Sequence, residues 1–570
     1  MRFPSRDARV RDDRPAHPGK HRRDRGPVAR LHRSTRSDPR RLCRFVPQGE
    51  GTCRVTVCAM RAATSLGGIL IAGVLIAGCS SAPEAIPPTP PAPSPTEESP
   101  TAQADPLADF YAQELDWREC GGAECTKVQV PMDYDDPAGQ TVELSLTKVP
   151  ATGESIGALL VNPGGPGGSA FDYAKAADFI VSPEIRESFD IVGVDPRGVG
   201  KSQPVRCLSD AQIDEIFASD GTPDTPDEGR ELVEDSRLIA EACERNAPEL
   251  WRHMGTVSVA RDMDIVRASL DEPVLNYLGK SYGTAIGARY AQLFPSFVGR
   301  MVLDGVLPTG LDQREVSFGQ AVGFENSVRD FAADCADSGD CPFPGDQQAV
   351  LTELRAFLDS LDSAPLPTGD GRELTQSLGS YAVLSFLYFP DGDYPRLRAA
   401  LSEAVQQGDG SALLALVDER TNRSSDGRYL DNSTDAFYAV SCTDLPFDGD
   451  EGQAMRLADE WQAQAPTFGP ALAWGLLACA DWPVGGELEG GSEPIRASSA
   501  PPILVLSTTG DPATPYEWGV DLARSLEDGH LITWDAFNHT AYREGSACVD
   551  EAVDAYLLAG ELPDGDLSCS

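Results

Sequence analysis

Short apolar runs alternate with amphipathic stretches over most of this chain. Six runs read as buried strands: Ala158–Val161, Ile191–Val194, Val274–Leu278, Met301–Leu303, Ile503–Leu506 and Leu531–Trp534. Stretches with helical periodicity lie between them, as at Val257–Leu270, Gly283–Leu293 and Tyr516–Leu526. Strands that alternate with helices predict a mostly parallel α/β sheet covered on both faces. The strand pattern pauses between about residues 308 and 495, where the periodicity predicts helices, for example over Gln347–Leu361 and Tyr394–Val417. Inserted between two sheet strands, those helices would roof the carboxyl ends of the strands, where ligands of such sheets bind. The expected organisation is a core over 107–307 and 496–570, with a helical cap over 308–495.

The first 106 residues follow another pattern. Residues 1–59 are rich in Arg and Pro, basic, and without apolar periodicity. They read as a basic leader, or as sequence upstream of a true start at Met60. Met60-Arg61 is followed by the apolar run Leu66–Ala77, which has the shape of a signal peptide and is too short to span a bilayer permanently. Ile76-Ala77-Gly78-Cys79 resembles the bacterial lipobox, which implies a lipoprotein signal peptide over 60–79 and a lipid on Cys79. Ser80–Pro106 holds nine prolines among Ser, Thr, Ala and Glu. That composition buries no core and predicts an extended linker. The expected location is the outer face of the bacterial membrane, through the lipid anchor, or the exterior.

Charge and cysteine content agree with export. The chain carries −42 overall although its leader is basic, so the rest is more acidic still, and nucleic acid is excluded as a partner. Only five lysines lie beyond residue 60. Ten cysteines follow the leader, an even number that suggests disulfides in an exported chain. Pairing neighbours gives Cys120–Cys125, Cys207–Cys243, Cys335–Cys341, Cys442–Cys479 and Cys548–Cys569, one framework among those the spacing allows. A zinc site is disfavoured, because no cysteines have C-x-x-C spacing and histidine is scarce.

The run Gly279-Lys280-Ser281-Tyr282-Gly283 reads G-x-S-x-G between an apolar strand and a helix. A nucleophile elbow needs that setting, since the turn is too tight for side chains beside the serine. A serine hydroxyl needs an imidazole to take its proton and a carboxylate to orient the imidazole. Three of the six histidines lie in the leader, leaving His253, His530 and His539. His530 opens its strand and His253 precedes a helix, whereas His539 lies in the loop after Leu531–Trp534, which makes it the expected base. Asp511, directly after Ile503–Leu506, is the expected acid, with Asp304 after Met301–Leu303 as its competitor. The order Ser281, Asp511, His539 is that of α/β-hydrolases. The oxyanion donors expected are the N–H of Tyr282 and that of Gly165, or alternatively Gly164, in the loop Asn162–Ser169. A phosphate-binding reading of this loop fails for want of a G-x-x-x-x-G-K-[ST] pattern.

Asn162–Ser169, Asp195-Pro196-Arg197-Gly198-Val199-Gly200-Lys201-Ser202 and the elbow together resemble the proline iminopeptidase and tripeptidyl aminopeptidase family of serine peptidases. Phe294-Pro295, Val302–Val306, Ser441–Asp444, Cys479–Pro483 and the segments around Asp511 and His539 carry the same resemblance. It is strongest to the secreted actinobacterial branch. Pro163 stands where proline iminopeptidases have a histidine, which favours the tripeptidyl type. The resemblance implies an α/β-hydrolase fold and an exopeptidase that takes short peptides from a free N-terminus, with no metal or organic cofactor. Acidic cap residues should then read the substrate ammonium, with Asp444 as a candidate against the simpler reading of a solvated loop aspartate. An esterase or lipase on the same scaffold, and a surface lipoprotein that binds without catalysis, are the alternatives.

Overall fold

The computed structural model describes residues 105–483 and 494–570. The leader, the expected signal peptide with Cys79 and nearly all of the expected linker lie outside the described residues. A ten-stranded sheet forms the core. In chain order its first seven strands are β1 (Arg118–Glu119), β2 (Glu124–Pro131), β3 (Thr141–Val149), β4 (Ala158–Asn162), β5 (Asp190–Val194), β6 (Leu275–Lys280) and β7 (Val298–Asp304). A two-stranded hairpin, β8 (Leu366–Pro367) and β9 (Glu373–Leu374), stands apart from the sheet. The sheet resumes with β10 (Ile503–Thr508), β11 (Gly529–Trp534) and β12 (Leu567–Cys569). The order across the sheet is β1-β2-β3-β5-β4-β6-β7-β10-β11-β12. From β5 to β12 every pairing is parallel, and the three pairings from β1 to β5 are antiparallel.

All six strands expected from the apolar runs are present, in the parallel part. There helices cover both faces, so every side chain of β4 and β10 is buried and the run is continuously apolar. β2 and β3 escape that criterion. Their buried apolar residues, such as Val128 and Val130 on one and Val142, Leu144 and Leu146 on the other, alternate with polar ones, among which Ser145 and Thr147 are buried too. Alternation over so few residues is a weaker signal than a continuous run.

Between β7 and β10 the chain is helical, apart from β8–β9. Helices within 324–417 pack around their own core, which includes Val328, Phe331, Leu354, Leu358, Leu397 and Leu401. The helices Ser433–Asp444 and Glu451–Trp461 bury Ala436, Ala439, Val440, Ala454 and Trp461 in the main core instead. The single helix expected over Tyr394–Val417 is two, Pro390–Gln407 and Ser411–Arg420. Gly408 breaks it by adopting a left-handed conformation with φ +67°, the usual C-terminal signal of a helix. All ten described cysteines form the five neighbour-paired disulfides. Five disulfides suit a fold that matures in an oxidising environment. Among the described residues no helix is long and apolar enough to cross a membrane.

Candidate active site

β4, β6, β7, β10 and β11 are consecutive parallel neighbours, and each delivers one functional segment from its carboxyl end. These are the glycine loop after Asn162, Ser281, Asp304, Asp511 and His539. Adjacent parallel strands lie about 5 Å apart, so residues far apart in sequence meet in one row.

Ser281 joins β6 to the helix Tyr282–Leu293 with φ +54° and ψ −126°, a conformation rarely open to a residue with a side chain. A side-chain carbon on Gly279 would lie 2.5 Å from the Gly283 carbonyl oxygen, and one on Gly283 would lie 2.9 Å from Asn162 Oδ1. The two glycines of the motif are thus required by space. The Ser281 N–H donates to the Asp304 carbonyl at 2.9 Å, which joins the elbow to β7.

Asp511 and His539 are in contact. His539 Nδ1 lies 2.9 Å from Oδ1 and 3.0 Å from Oδ2 of Asp511. The carboxylate is buried and accepts four further bonds, from the N–H groups of Ala513, Thr514 and Thr540 and from the Thr514 hydroxyl. Those donors hold both oxygens toward the imidazole. Cap residues support the pair. Gln320 donates to the Ala513 carbonyl, and the His539 N–H donates to the Tyr388 carbonyl at 2.8 Å. The Tyr388 ring also stands edge-on to the imidazole, with centroids 5.2 Å apart. Burial raises the Tyr388 phenol pKa.

Asp304 does not orient the imidazole. It is fully buried, and its oxygens accept from the N–H groups of Ala541 and Tyr542, so it anchors the histidine loop from below. Burial pushes its carboxyl pKa up to about 6. His530 pairs with Asp528 at the start of β11. The His253 carbonyl accepts from Arg197, and burial lowers the pKa of its imidazole.

The glycine loop lies directly over the elbow. A side-chain carbon on Gly164 would be 2.8 Å from Ser281 Cβ and 2.9 Å from the Tyr282 nitrogen. The Gly164 N–H donates to Asn162 Oδ1, and Gly165 beside it has φ +117°. Asp195 braces this loop by accepting from the Ser169 hydroxyl, the Phe171 N–H and the Lys201 N–H. Two residues on, Arg197 makes a buried two-pronged pair with Asp262. The Asp195–Ser202 motif is therefore scaffolding for the glycine loop.

Asp444 is not a solvated loop residue. It ends the helix Ser433–Asp444, its two oxygens accept from the N–H and hydroxyl of Thr256, and that hydroxyl shares a 2.8 Å hydrogen bond with the Tyr282 phenol. Burial raises its carboxyl pKa to about 6. The sequence reading missed Thr514, Tyr388 and the anchoring role of Asp304. Thr514 sits within the Asp511 motif, whereas nothing in the sequence ties Tyr388 to a loop 151 residues away.

Comparison with known proteins agrees with this geometry. A family model described as TAP-like protein matches residues 465–569. Serine protease Hip1 of Mycobacterium tuberculosis is 38% identical over 487 residues, which cover 80% of this chain and 91% of that protein. Carboxylesterase B of the same species is 40% identical over 486 residues, covering 82% and 92%. Tripeptidyl aminopeptidase of Streptomyces lividans is 31% identical over 478 residues, covering 80% and 86%. With relatives of that identity along nearly their whole length, and an elbow, acid and histidine at the carboxyl ends of one parallel sheet, the chain belongs to the tripeptidyl aminopeptidase-like family of α/β-hydrolase serine peptidases.

Proposed function

We propose that the protein is an exported serine exopeptidase that removes short peptides, tripeptides in particular, from free N-termini. The observation that carries this reading is the Asp511–His539 pair, on β10 and β11 of the same parallel sheet as the strained Ser281 elbow. Ser281 attacks the scissile carbonyl while His539 takes its proton through Nε2. Asp511, bonded at Nδ1, keeps the imidazole in the tautomer that can do so and stabilises the imidazolium that forms. The N–H groups of Gly165 and Tyr282 hold the oxyanion. His539 then protonates the departing amine, and a water activated by the same imidazole hydrolyses the acyl-enzyme. The acyl transfer calls on no metal or organic cofactor. Tyr388 and its neighbour Phe389 set their rings beside the imidazole, and we assign them as one wall of the substrate cleft. The cap over 308–495 limits access to chain ends, and the lipid on Cys79 with the linker 80–106 tethers the enzyme outside the membrane.

An esterase is the second reading, favoured by the likeness to a protein named carboxylesterase B. A panel of free-amine mono-, di- and tripeptide chromogenic substrates, their N-blocked forms and a short-chain ester separates the two. The test uses protein starting at Ser80, with Ser281→Ala as control. Cleavage of free-amine tripeptides, abolished by N-blocking and by Ser281→Ala, is the expected result. Loss of several orders of magnitude in turnover is expected for that variant. Cleavage of the ester alone would move the protein to the second reading.

A further inference from the structure

Both catalytic turns contain a residue with a side chain in a left-handed conformation. Ser281 has φ +54°, Thr540 directly after His539 has φ +70°, and Arg543 in the same loop has φ +66°. A β-branched threonine is unfavourable there, so the surroundings must hold it. One buried side chain reaches from the first turn to the second. Lys280, the residue before Ser281, donates to Thr540 Oγ1 at 3.3 Å, to the Tyr542 carbonyl at 2.8 Å and to Glu544 at 2.8 Å. All three protons of the ammonium are used, and all three acceptors lie within five residues of His539. Asp304 binds the same segment through the N–H groups of Ala541 and Tyr542 and lies 3.9 Å from the ammonium. Lys280 thus joins the elbow to the histidine loop and balances the charge of a buried carboxylate. Only four other lysines lie beyond residue 60, so a lysine at this position is not a product of composition.

We propose that Lys280 is a positioning residue for the triad: it clamps the histidine loop to the nucleophile elbow and so sets the approach of His539 to Ser281. Removing the ammonium would leave Asp304 buried without its cation and free the Thr540 turn to relax. Relaxation of that turn moves the imidazole relative to the hydroxyl, and a displacement of about 1 Å costs on the order of 100-fold in rate. Substrate binding is untouched, because Lys280 lies beneath the reacting groups.

This inference rests on the serine-hydrolase reading, and the test keeps the two apart. A fluorophosphonate reacts when Ser281 Oγ bonds to phosphorus, fluoride leaves and His539 takes the hydroxyl proton. The measured quantities are the rate of labelling and the fraction finally labelled, with peptide kinetics alongside. Lys280→Met is expected to label to completion about 10- to 100-fold more slowly, with kcat lowered in proportion and KM unchanged. A purely structural role would lower the labelled fraction and leave the rate of the folded molecules unchanged, and that result overturns the proposal. If Lys280→Met does not fold, Glu544→Gln at a partly exposed position reads the same quantities. Labelling about threefold slower at full extent is then expected, and an unchanged rate overturns the proposal. A wild-type protein that does not label at all would refute the serine-hydrolase reading itself.

Discussion

Replacing Asp511 by Asn changes one atom of the buried acid, and the surroundings dictate where that atom goes. Oδ1 accepts from the N–H groups of Ala513 at 2.9 Å and Thr514 at 2.8 Å, and neither donor can become an acceptor. Oδ2 accepts from the Thr514 hydroxyl, which can turn, and from the Thr540 N–H at a longer 3.2 Å. The amide oxygen therefore takes the Oδ1 position, and the NH2 takes the Oδ2 position, 3.0 Å from His539 Nδ1. The amide oxygen at the Oδ1 position, 2.9 Å from Nδ1, can still accept from it, but the NH2 now competes by favouring the tautomer with its proton on Nε2, which cannot accept the proton of Ser281. The charge that stabilises the imidazolium is lost as well. Together these should lower kcat by about 10⁴-fold, equivalent to about 5.5 kcal/mol of transition-state stabilisation. KM should hold, because Asp511 is buried behind the ring and touches no substrate. The donor-against-donor contact at Thr540 should cost about 1–3 kcal/mol of stability. The assay is steady-state hydrolysis of a free-amine tripeptide substrate near pH 8, with urea unfolding as the stability control. A variant within tenfold of wild-type kcat would refute the tautomer argument and with it the assignment of Asp511 as the orienting acid.

Tyr388→Ala keeps the backbone bond to His539 but removes the ring beside the imidazole, so steady-state kinetics should show a raised KM and a kcat lowered about tenfold. Gly165→Ala forces a side chain onto φ +117°, with its Cβ 2.8 Å from the Gly167 nitrogen. The backbone must turn, the oxyanion donor is displaced, and kcat should fall about 10²- to 10³-fold. Asp435 is buried, and burial raises its carboxyl pKa from 3.8 to about 6. The folded state binds that proton more tightly than the unfolded chain. Its contribution to stability is therefore full below about pH 4 and lost as pH rises through 6. Asp435→Asn cannot titrate, so between pH 4 and 7 its unfolding free energy should move in the variant's favour by up to about 3 kcal/mol relative to wild type. Urea unfolding at the two pH values checks this, and a constant offset would contradict it.

Features written in a few neighbouring residues were legible in the sequence. The buried strands show as continuous apolar runs because helices cover both faces of a parallel sheet. The elbow shows because its turn excludes side chains at Gly279 and Gly283. His539 could be selected because few histidines exist and only one follows a strand. The neighbour-paired disulfides were one framework among several that the spacing allowed, and the structure contains that one. What depended on distance through space was decided by the tertiary structure alone. Asp304 ends one strand and Asp511 follows another; the sequence favoured Asp511 as the acid, but only the packing showed that Asp304 binds the loop backbone instead. Asn162 takes the N–H of Gly164, one of the two oxyanion candidates. Tyr388 reaches His539, and Thr256 turns Asp444 toward the helix behind the serine, across separations no local pattern records. Lys280 looked like the variable letter of a G-x-S-x-G motif. Its role became visible when the fold buried its ammonium among the residues that follow the histidine, where every proton had to find an acceptor.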